Sequence, residues 1–234
     1  MAPSPVSGAA ATVRRMSEPS FLSATRVAYD LVAADYAELL DGELAKSPFD
    51  RAMLGAFAEL VEPHPGVVAD IGCGPGRVTD HLDSLGLEIF GIDLSPEMVA
   101  VARRAYPRLR FDVGSMTDLA LADGSLGGVV AWYSIIHTPP QLLPSVFAGF
   151  HRVLAPGGVL LLAFQVGDEP RHLSHAYGHD ITLEAYRLPP DGIVRMLTAA
   201  GFTHEARLIR EPGDREKSQQ AFLLARRPHG ATPQ

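Results

Sequence analysis

The chain has 234 residues, 47% hydrophobic and 20% charged, which supports one sizeable core and excludes wholesale disorder. A net charge of −7 argues against a protein built to wrap phosphate backbones. The single cysteine, Cys73, excludes an intrachain disulfide framework or a cysteine-built zinc site.

Residues 1–20 are rich in Pro, Ser, Gly and Ala, lack periodicity and read as a disordered tail, as do 228–234. The arginines at 14 and 15 follow the alanine run, the reverse of a secretory signal, so a cytoplasmic location is expected. Val27, Leu31, Val32, Ala34, Leu39 and Leu40 recur at helical spacing, with Tyr29 and Tyr36 on one face. Ser47 then Pro48 reads as an N-cap and first helical residue, opening a second helix to Val61. Residues 21–62 thus form an N-terminal helical cap.

From Val67 the pattern changes to short, continuous apolar runs at 67–71, 88–92, 109–113, 128–133 and 158–166. Helical patterns at 76–85, 95–105 and 141–154 separate most of them. No apolar run reaches the ~18 residues that cross a bilayer. Alternation of this kind predicts an α/β domain with a parallel sheet covered on both faces. Residues 168–188 break the rhythm and read as an insertion. Pro189 and Pro190 open a helix to Ala200, and strands near 203–210 and 219–226 close the chain. With no linker in sight, 21–227 is expected to be a single domain.

The most informative stretch is the glycine loop of Asp70, Gly72, Cys73, Gly74 and Gly76, between a strand and a helix. Its G-x-G-x-G spacing departs from the G-x-G-x-x-G of dinucleotide sites. A carboxylate at Asp70 would repel a pyrophosphate but pair with an ammonium group. Asp93, ending the next strand, stands where an acid accepts both hydroxyls of a ribose. A nucleoside with a positively charged amino-acid end, such as S-adenosylmethionine, fits this pattern.

Together with Gly91-Ile-Asp93-Leu-Ser-Pro-Glu-Met98 and Arg152-Val-Leu-Ala-Pro-Gly-Gly158, these residues make the chain resemble a class I S-adenosylmethionine-dependent methyltransferase of the bacterial small-molecule type, over residues 24 to 227. The resemblance implies a doubly wound seven-stranded sheet, mostly parallel, whose last strand is antiparallel. It implies that Asp70 and Gly72 line the methionine end, with the small Cys73 and Gly74 allowing close approach. It further implies that Asp93 holds the ribose and that Leu94 packs near the adenine, with Met116 at the variable position of the Gly114-Ser115-Met116 cofactor-binding segment. Ser115 stands where the family has an acid that bonds the adenine amino group, and Trp132 ends the strand facing the cofactor.

His137, just past the fourth strand, faces the expected methyl position. It reads either as a general base or acceptor-orienting group, or as a histidine that caps the next helix or bonds a backbone carbonyl. Residues 168–188 are expected to be a lid over the acceptor, with Tyr177, His179, Tyr186 and Arg187 contributing contacts; Tyr29 and Tyr36 are expected to line the pocket. On a helix His172, His175 and His179 would share one face, but no metal is expected. The expected acceptor is a small molecule, a natural-product or secondary-metabolite intermediate; nucleic-acid and membrane partners are not expected, and the chain is expected to be a monomer or homodimer. Two other readings stay open: a protein that binds the cofactor or S-adenosylhomocysteine without transfer, and a nicotinamide-dependent oxidoreductase.

Overall fold

A computed structural model describes residues 19–62, 66–214 and 216–229; the tails expected at 1–20 and 228–234 lie almost wholly outside these. The chain runs α1 (Ser20–Leu39), α2 (Glu43–Lys46), α3 (Pro48–Val61), β1 (Val67–Ile71), α4 (Arg77–Ser84), β2 (Ile89–Asp93), α5 (Pro96–Ala105), β3 (Arg110–Val113), β4 (Leu126–Trp132), α6 (Leu143–Val153), β5 (Leu154–Gln165), β6 (Pro170–Ala176), β7 (His179–Tyr186), α7 (Pro190–Ala199), β8 (Thr203–Arg210) and β9 (Gln220–Arg226). Seven strands form one sheet in the order β3-β2-β1-β4-β5-β9-β8. Strands β1 to β5 pair in parallel, and β9 lies antiparallel to both β5 and β8, as expected. Strand order reverses between β1 and β4, and a doubly wound sheet opens its ligand crevice at the carboxyl ends flanking that point.

All seven residues of β4 are buried because helices cover both faces. Val129 and Ala131 pack with Phe147 and Phe150 of α6 and Leu197 of α7. Val130 and Trp132 point the other way, toward Phe57 of α3 and Leu82 of α4. Each such aromatic or leucine, fully buried, stabilises the fold by about 1.5–3 kcal/mol.

Residues 168–188 fold as an antiparallel hairpin, β6–β7, turning at Tyr177 and Gly178. Its buried residues Ile181 and Leu183 pack against Ala28, Val32 and Ala33 of α1 and Met98 of α5. Helix α1 is therefore gripped between α5 and the hairpin rather than laid on the sheet. Asp30 fixes its position: its carboxylate accepts from the Ser95 hydroxyl at 2.6 Å, and that hydroxyl caps α5 by accepting from Met98 N–H at 3.0 Å. The cap expected at Ser47 is different: Pro48 does open α3, but the Ser47 side chain makes no cap bond and donates back to the Glu43 carbonyl of α2. Among the described residues, no helix is long and apolar enough to cross a membrane.

Candidate active site

At the crevice, Gly72 follows β1 and meets Ser134 just beyond β4. Gly72 has φ +77°, and a Cβ there would lie 2.2 Å from the Ser134 Cβ. The Ser134 hydroxyl donates to the Ile71 carbonyl at 2.6 Å, clamping the two strand ends together. Gly74 also has positive φ, but a Cβ there would meet only Tyr36, at 3.8 Å. Gly72→Ala is accordingly expected to destabilise the protein by more than Gly74→Ala, which carries only the ~1 kcal/mol left-handed backbone cost. Thermal denaturation of both variants checks the order.

Asp93 ties the loop to the next strand. Its Oδ2 accepts from Gly74 N–H at 2.7 Å and its Oδ1 from Ser95 N–H at 2.8 Å. A carboxylate offers about four lone-pair sites, so acceptor capacity remains for a ligand. Burial pushes its pKa up to about 6, against the pull of those N–H groups.

Asp93 opens onto a pocket of about 720 Å³, within the usual range for small-molecule sites. Gly72, Gly74, Asp93, Leu94, Ser115, Met116, Trp132, Tyr29, Tyr36 and His137 all line it, ten of the expected residues in one place. The Ser115 hydroxyl bonds that of Thr117 at 2.8 Å, and Thr138 donates to the Met116 sulfur at 3.4 Å. Two expected residues stand elsewhere. Asp70 is fully buried behind the loop; its Oδ2 accepts from the Thr79 hydroxyl at 2.7 Å, and burial raises its pKa to about 7. Cys73 packs against Val99, Ala102 and Phe111, and burial pushes its thiol pKa up. Sequence reasoning missed Phe21, Leu22, Thr25 and Arg26 of α1, which also line the pocket. It also missed Tyr133, a non-glycine residue at φ +54°. A tyrosine held in this sparsely populated region at the end of β4 places backbone strain at the site itself.

A second cavity, about 1420 Å³ including its opening to solvent, lies under the hairpin. Tyr29, Tyr36, Tyr133 and His137 line both spaces and make up the wall they share. Within that wall Tyr29 OH lies 2.7 Å from His137 Nε2, and His137 Nδ1 lies 3.0 Å from the Glu184 carbonyl of β7. A carbonyl only accepts, so Nδ1 carries the proton, Nε2 is the lone-pair nitrogen, and the Tyr29 hydroxyl donates to it. Burial lowers the His137 pKa to about 4, so the ring is neutral at physiological pH. Tyr29, Tyr36 and Tyr177 continue the wall through edge-on ring contacts, with centroids 5.8 and 5.0 Å apart.

The remaining lid residues divide. Tyr177 lines the second cavity. His179 instead bonds Asp35 of α1 at 2.7 Å, tying the hairpin tip to the helix. Tyr186 donates to the Glu184 carboxylate at 2.8 Å and lines neither cavity. Arg187 pairs with Glu169 and lines a smaller adjoining pocket. The three histidines do not share a helix face: His172, His175 and His179 are in strands and pair with Glu184, Asp180 and Asp35 respectively. Among the described residues no group of three or more metal-ligating side chains converges.

Residues 68–158 match a methyltransferase domain family. An uncharacterised methyltransferase of Mycobacterium tuberculosis is 34% identical over 120 residues, 48% of this chain and 47% of that protein. Trans-aconitate 2-methyltransferase of Variovorax paradoxus is 33% identical over 140 residues, 58% of this chain and 52% of that protein. The chain thus spans about half the length of the curated relatives it matches. The crystal structure of magnesium protoporphyrin IX methyltransferase from Synechocystis PCC 6803, with bound S-adenosylmethionine, is similar with a TM-score of 0.68 at 17% identity, covering 91% of this chain and 99% of that one. Its strand order and antiparallel β9 give the chain the fold of that structure, and residues 68–158 carry its match to the methyltransferase domain family.

Proposed function

We propose that the protein transfers the methyl group of S-adenosylmethionine to a small-molecule acceptor, a natural-product or secondary-metabolite intermediate, and releases S-adenosylhomocysteine. The observation that carries this reading is the shared wall. One cavity is lined by the glycine loop and Asp93, the other lies beneath the hairpin, and Tyr29, Tyr36, Tyr133 and His137 border both. Methyl transfer from a sulfonium needs alignment above all, and two sites meeting at one wall supply it.

The donor pocket fits the cofactor on its own chemistry. Asp93 has acceptor capacity for ribose hydroxyls, Leu94 and Met116 offer apolar contact to an adenine, and Gly72 and Gly74 bring backbone close to the methionine end. When bound, the cofactor supplies an activated methyl group on a neutral leaving group. Asp93 then works as a carboxylate. Binding is therefore expected to weaken as the pH falls through about 6, because a protonated Asp93 loses an acceptor. Titration of S-adenosylhomocysteine by calorimetry between pH 5 and 8 checks this.

Tyr29 and His137 handle the acceptor's proton where the acceptor has one to lose. The acceptor proton passes to the Tyr29 oxygen as the Tyr29 proton passes to His137 Nε2. The resulting imidazolium keeps its Nδ1–H on the Glu184 carbonyl. The whole reading is tested by calorimetry against S-adenosylhomocysteine and NADH, followed by a mass search for methylated products in a small-molecule panel. Stoichiometric S-adenosylhomocysteine binding and a methylated product are expected. Binding without any product would favour a cofactor-holding protein, and binding of NADH alone would favour an oxidoreductase.

A further inference from the structure

We infer that the acceptor is an anion whose carboxylate or phosphate is held by Arg171, Arg187 and Lys217 at the end of the acceptor cavity remote from the methyl donor. This rests on the methyltransferase reading above and names the class of molecule it acts on.

The second cavity continues into a pocket of about 370 Å³ lined by Gln165, Arg171, Arg187, Glu216, Lys217, Ser218 and Gln220; four of these also line the cavity itself. The subsite is assembled from distant pieces of sequence: the end of β5, the first strand of the hairpin, the residue after the hairpin, and the loop into β9. None of the seven lines the donor pocket.

Its charge is not balanced internally. Arg171 makes one hydrogen bond, from Nη1 to the Gln165 amide oxygen at 3.1 Å, and has no acidic partner among the described residues. Lys217 has no ion-pair partner among them either. The acids nearby are already committed. Glu216 is held by Arg210 through bonds of 2.5 and 2.7 Å, and Glu169 pairs with Arg187. Arg187 nonetheless keeps a buried Nε–H with no partner. In a chain of net charge −7, a half-enclosed pocket with two unpaired cations and an orphaned guanidinium N–H is a built anion site. Its place also separates two roles. A guanidinium on the attacking atom would withdraw the electron density that displacement needs, whereas here the charge serves as a handle and the nucleophile lies at the Tyr29–His137 wall.

The test uses the full chain saturated with S-adenosylhomocysteine, titrated with phenylacetate, phenyl phosphate and neutral phenylacetamide by ligand-observed NMR. At least one anion is expected to bind at least about tenfold more tightly than the amide, and Arg171→Gln and Lys217→Gln are expected to remove that preference. The better of the two anions identifies the carboxylate or the phosphate as the natural handle. Equal binding of all three probes, binding of none, or an anion preference that survives both substitutions would overturn the inference. Because S-adenosylhomocysteine affinity is measured on the same samples, these outcomes stay separate from failure of the methyltransferase reading, which would show as loss of that affinity in the unmodified protein.

Discussion

Replacing Asp93 with Ala is expected to weaken S-adenosylhomocysteine binding at least about 100-fold, because two ribose hydrogen bonds to a charged acceptor are worth about 1.5–3 kcal/mol each. The loss has a second source. Asp93 also holds Gly74 N–H and Ser95 N–H, at 2.7 and 2.8 Å, so the variant frees the glycine loop and uncouples it from the start of α5. Each amide left without a partner costs about 1–3 kcal/mol, so the melting temperature falls as well. Asp70 provides the contrast. It is the acid nearest the loop in sequence, yet it is fully buried and bonded to Thr79. Asp70→Asn is therefore expected to bind the ligand nearly as well as the unmodified protein. Calorimetry on the pair separates the carboxylate that touches ligand from the one that braces the loop.

Replacing His137 with Ala is expected to lower kcat by about 100-fold or more on an acceptor that must lose a proton, the usual worth of a positioned base. The affinity for S-adenosylhomocysteine should stay essentially unchanged. His137 is held from two sides, by Tyr29 on α1 and by the Glu184 carbonyl on the hairpin. Tyr29→Phe removes the relay hydroxyl but leaves the histidine tethered to the hairpin, so it should also lower kcat, by less. The pH profile distinguishes this arrangement from an exposed histidine. Burial holds the His137 pKa at about 4, below its usual 6.5, so the ring gains a proton only as the pH drops toward 4. At saturating donor, kcat is accordingly expected to show no inflection near the ordinary histidine pKa.

Much of this fold was legible in the sequence, for physical reasons that also mark where legibility ended. Strands buried on both faces leave continuous apolar runs, and β1, β2, β4 and β5 could be read from them. The hairpin could not, because its outward faces carry His172, His175, Asp180 and Glu184, which swamp the average. The signal was present as a period of two: Ile181, Leu183 and Ala185 alternate with polar residues and all turn inward. In the site, Asp93, Leu94, Ser115 and Met116 line the pocket. Asp70 and Cys73 do not, because spacing gives a residue's place along a loop but not the side to which it turns. The contribution of α1 was half visible: the shared face of Tyr29 and Tyr36 follows from their seven-residue spacing. The partner that gives Tyr29 its role, His137, lies 108 residues away and is found only once the chain is folded. The basic subsite was hidden for the same reason, since Arg171, Arg187 and Lys217 come from separate elements.

A crystal structure of the protein with S-adenosylhomocysteine decides between these readings. Ribose hydroxyls are expected within hydrogen-bond distance of the Asp93 carboxylate, and the sulfur is expected to face Tyr29, Tyr133 and His137, where the cavity beneath the hairpin begins. A ligand bound elsewhere, or one whose sulfur faces away from those three side chains, would rule out the proposed donor site.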